Sequence, residues 1–148
     1  IALSVNNKTV NNMTGPQLSL TVSRYDLNLE SLKGIKIQYM KGGNDWALAK
    51  EYVTSEADVT ADKELLKTAE ATYVLDMSDP VWTDGTYTFR AVTVCNISGD
   101  IVNNESNEIT VIKDMAQPQL IAMPSPANGI LNAGDELSVT FNEDIQYG

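Results

Sequence analysis

The sequence predicts an all-β chain whose larger part is an antiparallel two-sheet sandwich of about seven strands. Three observations carry that expectation. Apolar residues recur at every second position through most of the chain, as in strands that bury one face. Glycine-rich and Asp-Gly turn signals separate these runs. The runs fall at short, regular spacing within roughly the first 115 residues, which is the size of one sandwich domain.

The elements follow in order. Ala2 to Val5 opens the set. Leu18, Leu20 and Val22 alternate with Gln17, Ser19, Thr21 and Ser23, and Ile35, Ile37 and Tyr39 with Lys36, Gln38 and Met40. Gly42-Gly43-Asn44-Asp45 then supplies a short hairpin connection, with glycines that accept positive φ at little cost. A less regular strand runs from Trp46 to Val53. Ser55 to Glu70 breaks the pattern, and its Ala, Glu and Lys content around Leu65 and Leu66 predicts a short helix over Ala61 to Thr68. Tyr73, Leu75 and Met77 resume the alternation. After Asp84-Gly85 comes the longest run, Tyr87, Phe89, Ala91, Thr93 and Cys95, whose second face also holds Val92 and Val94. A strand apolar on both faces belongs in the middle of a sheet. Ser98-Gly99-Asp100 turns the chain, and Ile109 and Val111 close the set.

A composition break at Lys113 to Gln119 places a domain boundary, with 1–115 before it and 118–148 after it. Pro118, Pro124 and Pro126 cannot donate to a ladder. Beyond them Leu137, Val139 and Phe141 alternate with polar residues, reading as half of a C-terminal hairpin from a truncated second domain. Two strands cannot bury a core alone. Their unpartnered apolar face is therefore expected to recruit a strand, with a tail-mediated dimer as one outcome. The chain opens at Ile1 directly in a strand pattern and stops soon after another, so it is expected to be a piece of a longer protein.

Composition narrows the function. Ten Lys and Arg stand against twenty Asp and Glu among 148 residues, a formal net charge of −10. Such a surface repels phosphate backbones, and no basic patch offsets it, so no nucleic-acid partner is expected. The absence of histidine removes His-based nucleophile systems and His-ligated zinc. No run approaches the roughly 18 apolar residues of a helical span, so no membrane insertion is expected. The single Cys95 cannot form an internal disulfide, which suits a bacterial exported protein or a cytosolic one.

Asp84-Gly85-Thr86-Tyr87-Thr88-Phe89-Arg90-Ala91, with Asn96, Gly99 and Ser106 to Val111, resembles the last two strands of a fibronectin type III domain. In that family a Tyr early in the sixth strand returns its hydroxyl to the backbone, and Tyr87 stands at that position. The Trp of the family's second strand has no counterpart here, where Arg24 and Tyr25 stand near its place, so a looser immunoglobulin-like sandwich remains an equal reading. Ser125-Pro126-Ala127-Asn128-Gly129 followed by Gly134 to Ile145 is similar to the start of a bacterial S-layer-type Ig-like domain. Together the two resemblances imply a large modular surface protein, as in Bacteroidetes, and an extracellular or cell-surface location. They imply a non-catalytic structural or adhesion module that spaces or presents neighbouring domains. The alternative is a carbohydrate-binding accessory module of a polysaccharide-degrading protein.

Candidate functional residues follow from these readings. Trp46, Trp82, Tyr25, Tyr52 and Tyr147 could stack on a sugar, with Trp46 and Tyr52 as the ligand-contact candidates. Against that, Trp82, Tyr87 and Phe89 read as structural, and Cys95 continues their inward face as a buried thiol. The acidic pairs Asp26 with Glu30, Asp76 with Asp79, Glu105 with Glu108, Asp135 with Glu136 and Glu143 with Asp144 read as solvated loop charge, not as a glycosidase pair. Asp114, Asp135, Glu143 and Asp144 are the only candidates for calcium, and no cofactor is otherwise expected. Sequons at Asn7, Asn12, Asn96 and Asn104 carry no weight in an Asn-rich chain.

Overall fold

Strand pairing shows which face of each alternating run is buried. The computed structural model describes residues 1–25, 32–43, 45–53, 70–121, 130, 132–136 and 138–142. In chain order the strands are β1 (Ala2–Val5), β2 (Thr9–Asn11), β3 (Gln17–Ser23), β4 (Leu32–Lys41), β5 (Ala47–Val53), β6 (Glu70–Asp76), β7 (Gly85–Ile97), β8 (Asp100–Glu105) and β9 (Ile109–Asp114). No helix occurs among the described residues; the helix expected over Ala61 to Thr68 lies outside them. The chain divides into two compact units, Ile1–Met115 and Ala116–Gly148.

The first unit is a two-sheet β-sandwich, compatible with an immunoglobulin-like fold. One sheet has the order β1-β3-β6; the other runs β2-β9-β7-β4-β5, with β8 also paired to β7. Every pairing is antiparallel except that of β2 with β9. Leu18, Leu20, Val22, Ala71 and Leu75 of the smaller sheet meet Ile35, Ile37, Phe89, Ala91 and Val111 of the larger. These are the apolar positions of the period-2 runs, and their burial is the main favourable term in folding. β7 is central, flanked by β4 on one side and by β9 and β8 in turn on the other. That explains why Val92, on its outer face, is buried as well.

Two strands have no counterpart in the sequence reading. β2 is three residues long, too short to show a period, and forms because Thr9, Val10 and Asn11 lie in parallel register with Ile112, Lys113 and Asp114. All six residues of β8 are exposed, so it has no apolar face to announce it. What specifies β8 is its turn. Ser98 and Gly99 both take positive φ (54° and 97°), as a two-residue type I′ hairpin requires, and the Asn96 side chain accepts from the Gly99 N–H at 3.0 Å. Between β8 and β9 the Ser106 N–H donates to the Ala91 carbonyl at 2.8 Å. The Asn107 amide exchanges two 3.0 Å bonds with the Leu3 backbone, tying the β8–β9 connection to β1.

In the second unit, taken by itself, Leu120 and Phe141 form an antiparallel bridge. The Ile121 N–H donates to the Thr140 carbonyl and the Asn142 N–H to the Gln119 carbonyl, both at 3.0 Å. Leu137 lies outside the described residues, Val139 is exposed and Phe141 half-buried.

Candidate functional site

Two constellations of the first unit bring charged and aromatic side chains together. The first surrounds the turn before β7. Three successive carbonyls there, of Trp82, Thr83 and Asp84, point into side-chain donors. The Lys113 ammonium, buried beneath the turn, binds the Trp82 carbonyl and stands 3.7 Å from the Asp84 carboxylate. The Tyr87 hydroxyl donates to the Thr83 carbonyl. Lys41 donates to the Thr83 carbonyl at 3.2 Å, to its hydroxyl, and to the Asp84 carbonyl at 2.9 Å, lying 5.1 Å from the Tyr87 ring centre. The Asp84 carboxylate in turn accepts the Met115 N–H at 3.1 Å. Both lysines and the carboxylate are therefore occupied in fixing a loop.

The second constellation lies on the outer face of the larger sheet and centres on Arg90. Its Nε donates to the Gln38 side chain at 2.9 Å, and its Nη1 stands 2.8 Å from a Glu105 carboxylate oxygen. The guanidinium carbon lies 4.1 Å from the centre of the Trp46 ring. Cross-strand register explains the gathering, because Gln38 faces Arg90 directly and Glu105 sits opposite Val92, two positions further along β7. Beside it Lys36 and Glu51 form an exposed ion pair at 3.6 Å. A shallow groove of about 280 Å³ runs over Val92, Val94 and Ile101 between Lys36, Gln38, Arg90, Asn103 and Glu105.

The structure separates the two ligand-contact candidates. Tyr52 is 3 % exposed and belongs to the core, so the expectation that it contacts ligand is corrected. Its place opposite Ile35 in the β4–β5 register turns it inward. Trp46 is half-buried, and the Arg90 guanidinium covers its ring. No paired stacking surface joins them. Trp82 is buried against Tyr39, with ring centres 4.6 Å apart, and against Tyr87 at 5.5 Å. Tyr87 and Phe89 are buried beside it. Cys95 is half-buried against the edge of the core, not enclosed, and borders a cavity of about 290 Å³ with Tyr25, Leu32 and Thr93. Tyr147 lies outside the described residues.

Three of the described acids bind backbone close to them in sequence. Asp76 accepts from the Ser78 N–H (2.9 Å) and hydroxyl (2.7 Å), and those bonds hold its carboxyl below the usual carboxylate range. Asp79 accepts the Val81 N–H at 3.0 Å and Asp135 the Asn132 N–H at 2.8 Å. Among the described residues no group of three or more Cys, Asp or Glu is placed to hold a metal ion; Glu143 and Asp144 are not among them. No family model, curated protein or solved structure matches the chain.

Lys41, Lys113, Gln38 and Arg90 were not singled out by sequence reasoning. Gln38 and Arg90 stand at outward positions of alternating strands and look like ordinary solvent-facing polarity until the register shows what stands opposite, whereas Lys41 and Lys113 continue the inward faces of Tyr39 and Val111 at strand ends. Tyr25, a sugar-stacking candidate in the sequence, belongs to the core. It is buried, its hydroxyl has no hydrogen-bond partner among the described residues, and burial, with Glu70 nearby, pushes its ionisation above the ordinary value of 10.0.

Proposed function

We propose that the chain is a non-catalytic module that spaces or presents neighbouring domains of a larger extracellular or cell-surface protein. On this reading the first unit is fibronectin type III-like and the second is the opening of an S-layer-type Ig-like domain. The observation that carries the proposal is the parallel pairing of β2 with β9. In a parallel pair the start of one strand and the end of the other lie at opposite ends of the ladder. Tension that arrives before Thr9 and leaves after Asp114 therefore runs along the ladder and loads its bonds together, in shear. An antiparallel pair with its free ends on one side would unzip rung by rung instead. Next to this ladder, Lys41, Tyr87 and Lys113 pin the turn into β7. The acidic exterior keeps such modules apart in solution.

The test is to hold the 148-residue chain by its two ends in a magnetic trap and raise the force. A spacer resists until its first unit opens in one step. Gradual lengthening at low force would overturn the reading. The carbohydrate-binding alternative keeps the half-buried Trp46 as its contact; retention in polysaccharide gels that disappears in Trp46→Ala would establish it in place of the spacer.

A further inference from the structure

We propose that the free edge of β8 is a docking site for an extended, positively charged peptide segment of another protein, which adds to the larger sheet as a further antiparallel or parallel strand. The register assigns every backbone group of β8 a direction. With the two-residue turn Ser98-Gly99, Ile97 and Asp100 are the first hydrogen-bonded pair, and alternation makes Cys95 with Val102 and Thr93 with Asn104 the next. The Ser106 N–H on the Ala91 carbonyl continues the same parity. Ile101, Asn103 and Glu105 therefore turn their N–H and C=O groups away from β7, and no strand among the described residues meets them.

Sheet edges of this kind are commonly blunted by lysine, proline or a bulge. β8 carries neither lysine nor proline, and its register with β7 runs unbroken over six residue pairs. Ile101 (61 % exposed) and Val102 (38 %) project on opposite faces and offer β-branched contacts to an added strand. Main-chain bonds would supply affinity, and side chains on either face the selectivity.

Charge selects the occupant. Between Ile97 and Thr110 stand Asp100, Glu105 and Glu108 and no Lys or Arg. Arg90 already engages Glu105, whereas Asp100 and Glu108 have no ion pair among the described residues. A second copy brings the same acids and a further net −10. A strand with lysines flanking alternating Thr and Val reverses that penalty.

The probe is the blocked peptide Lys-Thr-Val-Thr-Val-Lys, titrated into the 148-residue chain and followed by backbone amide shifts. Saturable shifts centred on Ile101, Asn103 and Glu105 are expected. Methylating alternate peptide nitrogens on one edge should weaken binding about tenfold or more, because the ladder bonds are lost while charge is kept. Asn103→Pro removes one outward N–H from an edge strand that tolerates proline, and should weaken binding similarly with little change in melting temperature. If that variant does not fold, the two N-methylated forms, one for each edge, decide on the wild-type chain. Equal binding of both methylated peptides, shifts elsewhere, or no binding at about 1 mM peptide overturns the proposal. So does a dimer in light scattering that Asn103→Pro converts to monomer, since the edge would then serve a second copy.

Discussion

The phenolic oxygen of Tyr87 lies 2.6 Å from the carbonyl oxygen of Thr83, four residues upstream, and donates to it. The same carbonyl also receives Lys41 at 3.2 Å, so two donors from different strands meet on one acceptor. A buried phenol that spends its polarity this way keeps its ring in the core without a desolvation penalty.

Tyr87→Phe is therefore expected to cost about 1 kcal/mol, the lower end of the range for a buried hydrogen bond, because Lys41 still satisfies the carbonyl. Adding Lys41→Met leaves that acceptor alone, and the double variant should lose more than the sum of the two singles. Urea titrations of the four proteins measure this; strict additivity would show that the two donors do not share the acceptor.

Tyr25→Phe has the opposite expectation. Its hydroxyl is buried without a partner among the described residues, so removing it should leave stability within about 0.5 kcal/mol or raise it. The sign with pH follows from the raised ionisation of Tyr25. The folded state holds the phenol proton more tightly than the unfolded one, so its contribution is intact below pH 10.0 and is lost as pH climbs through the higher folded value. Thermal melts above that pH should fall less steeply for Tyr25→Phe than for the parent.

Asp76 governs part of the acid limb. Its carboxyl is held below the ordinary 3.8 by the Ser78 hydroxyl and N–H, so the unfolded chain takes up its proton first. The stabilisation is full above that ordinary value and disappears as pH drops through the lower folded one. Asp76→Asn should lower the melting temperature at neutral pH and flatten its fall below about pH 4, where the two proteins converge. An unchanged acid limb would contradict this.

Gly34 sits at the irregularity where β4 changes register against β7. A Cβ there would lie 2.5 Å from the Tyr52 carbonyl oxygen, a backbone atom that cannot swing aside. Gly34→Ala should destabilise by about 1–3 kcal/mol in a urea melt, although alanine normally suits a strand interior better than glycine.

The strands legible in the sequence are those that bury one face. β3, with Leu18, Leu20 and Val22 inward, and β7, with Tyr87, Phe89 and Ala91 inward, coincide with alternating runs. β8 was hidden because a fully exposed strand leaves no apolar period, and β2 because its partner lies about a hundred residues away in register no local pattern encodes. The Arg90 cluster was hidden for the same reason: Gln38, Glu105 and Trp46 come from three other parts of the chain. Tyr52 misled because an aromatic in an irregular strand gives no sign of which face it takes until the Ile37/Gln38 shift in the β4–β5 register is known.

Pulling direction tests the spacer reading most directly. Handles at Ile1 and Met115 load the parallel β2–β9 ladder in shear, whereas handles at the exposed Met13 and at Met115 act at the same end of that ladder and unzip it. Non-thiol attachment keeps Cys95 out of the chemistry. The first geometry should need clearly higher force than the second, at equal loading rate, to open the same folded unit. Equal forces in the two geometries would contradict a ladder built to carry tension.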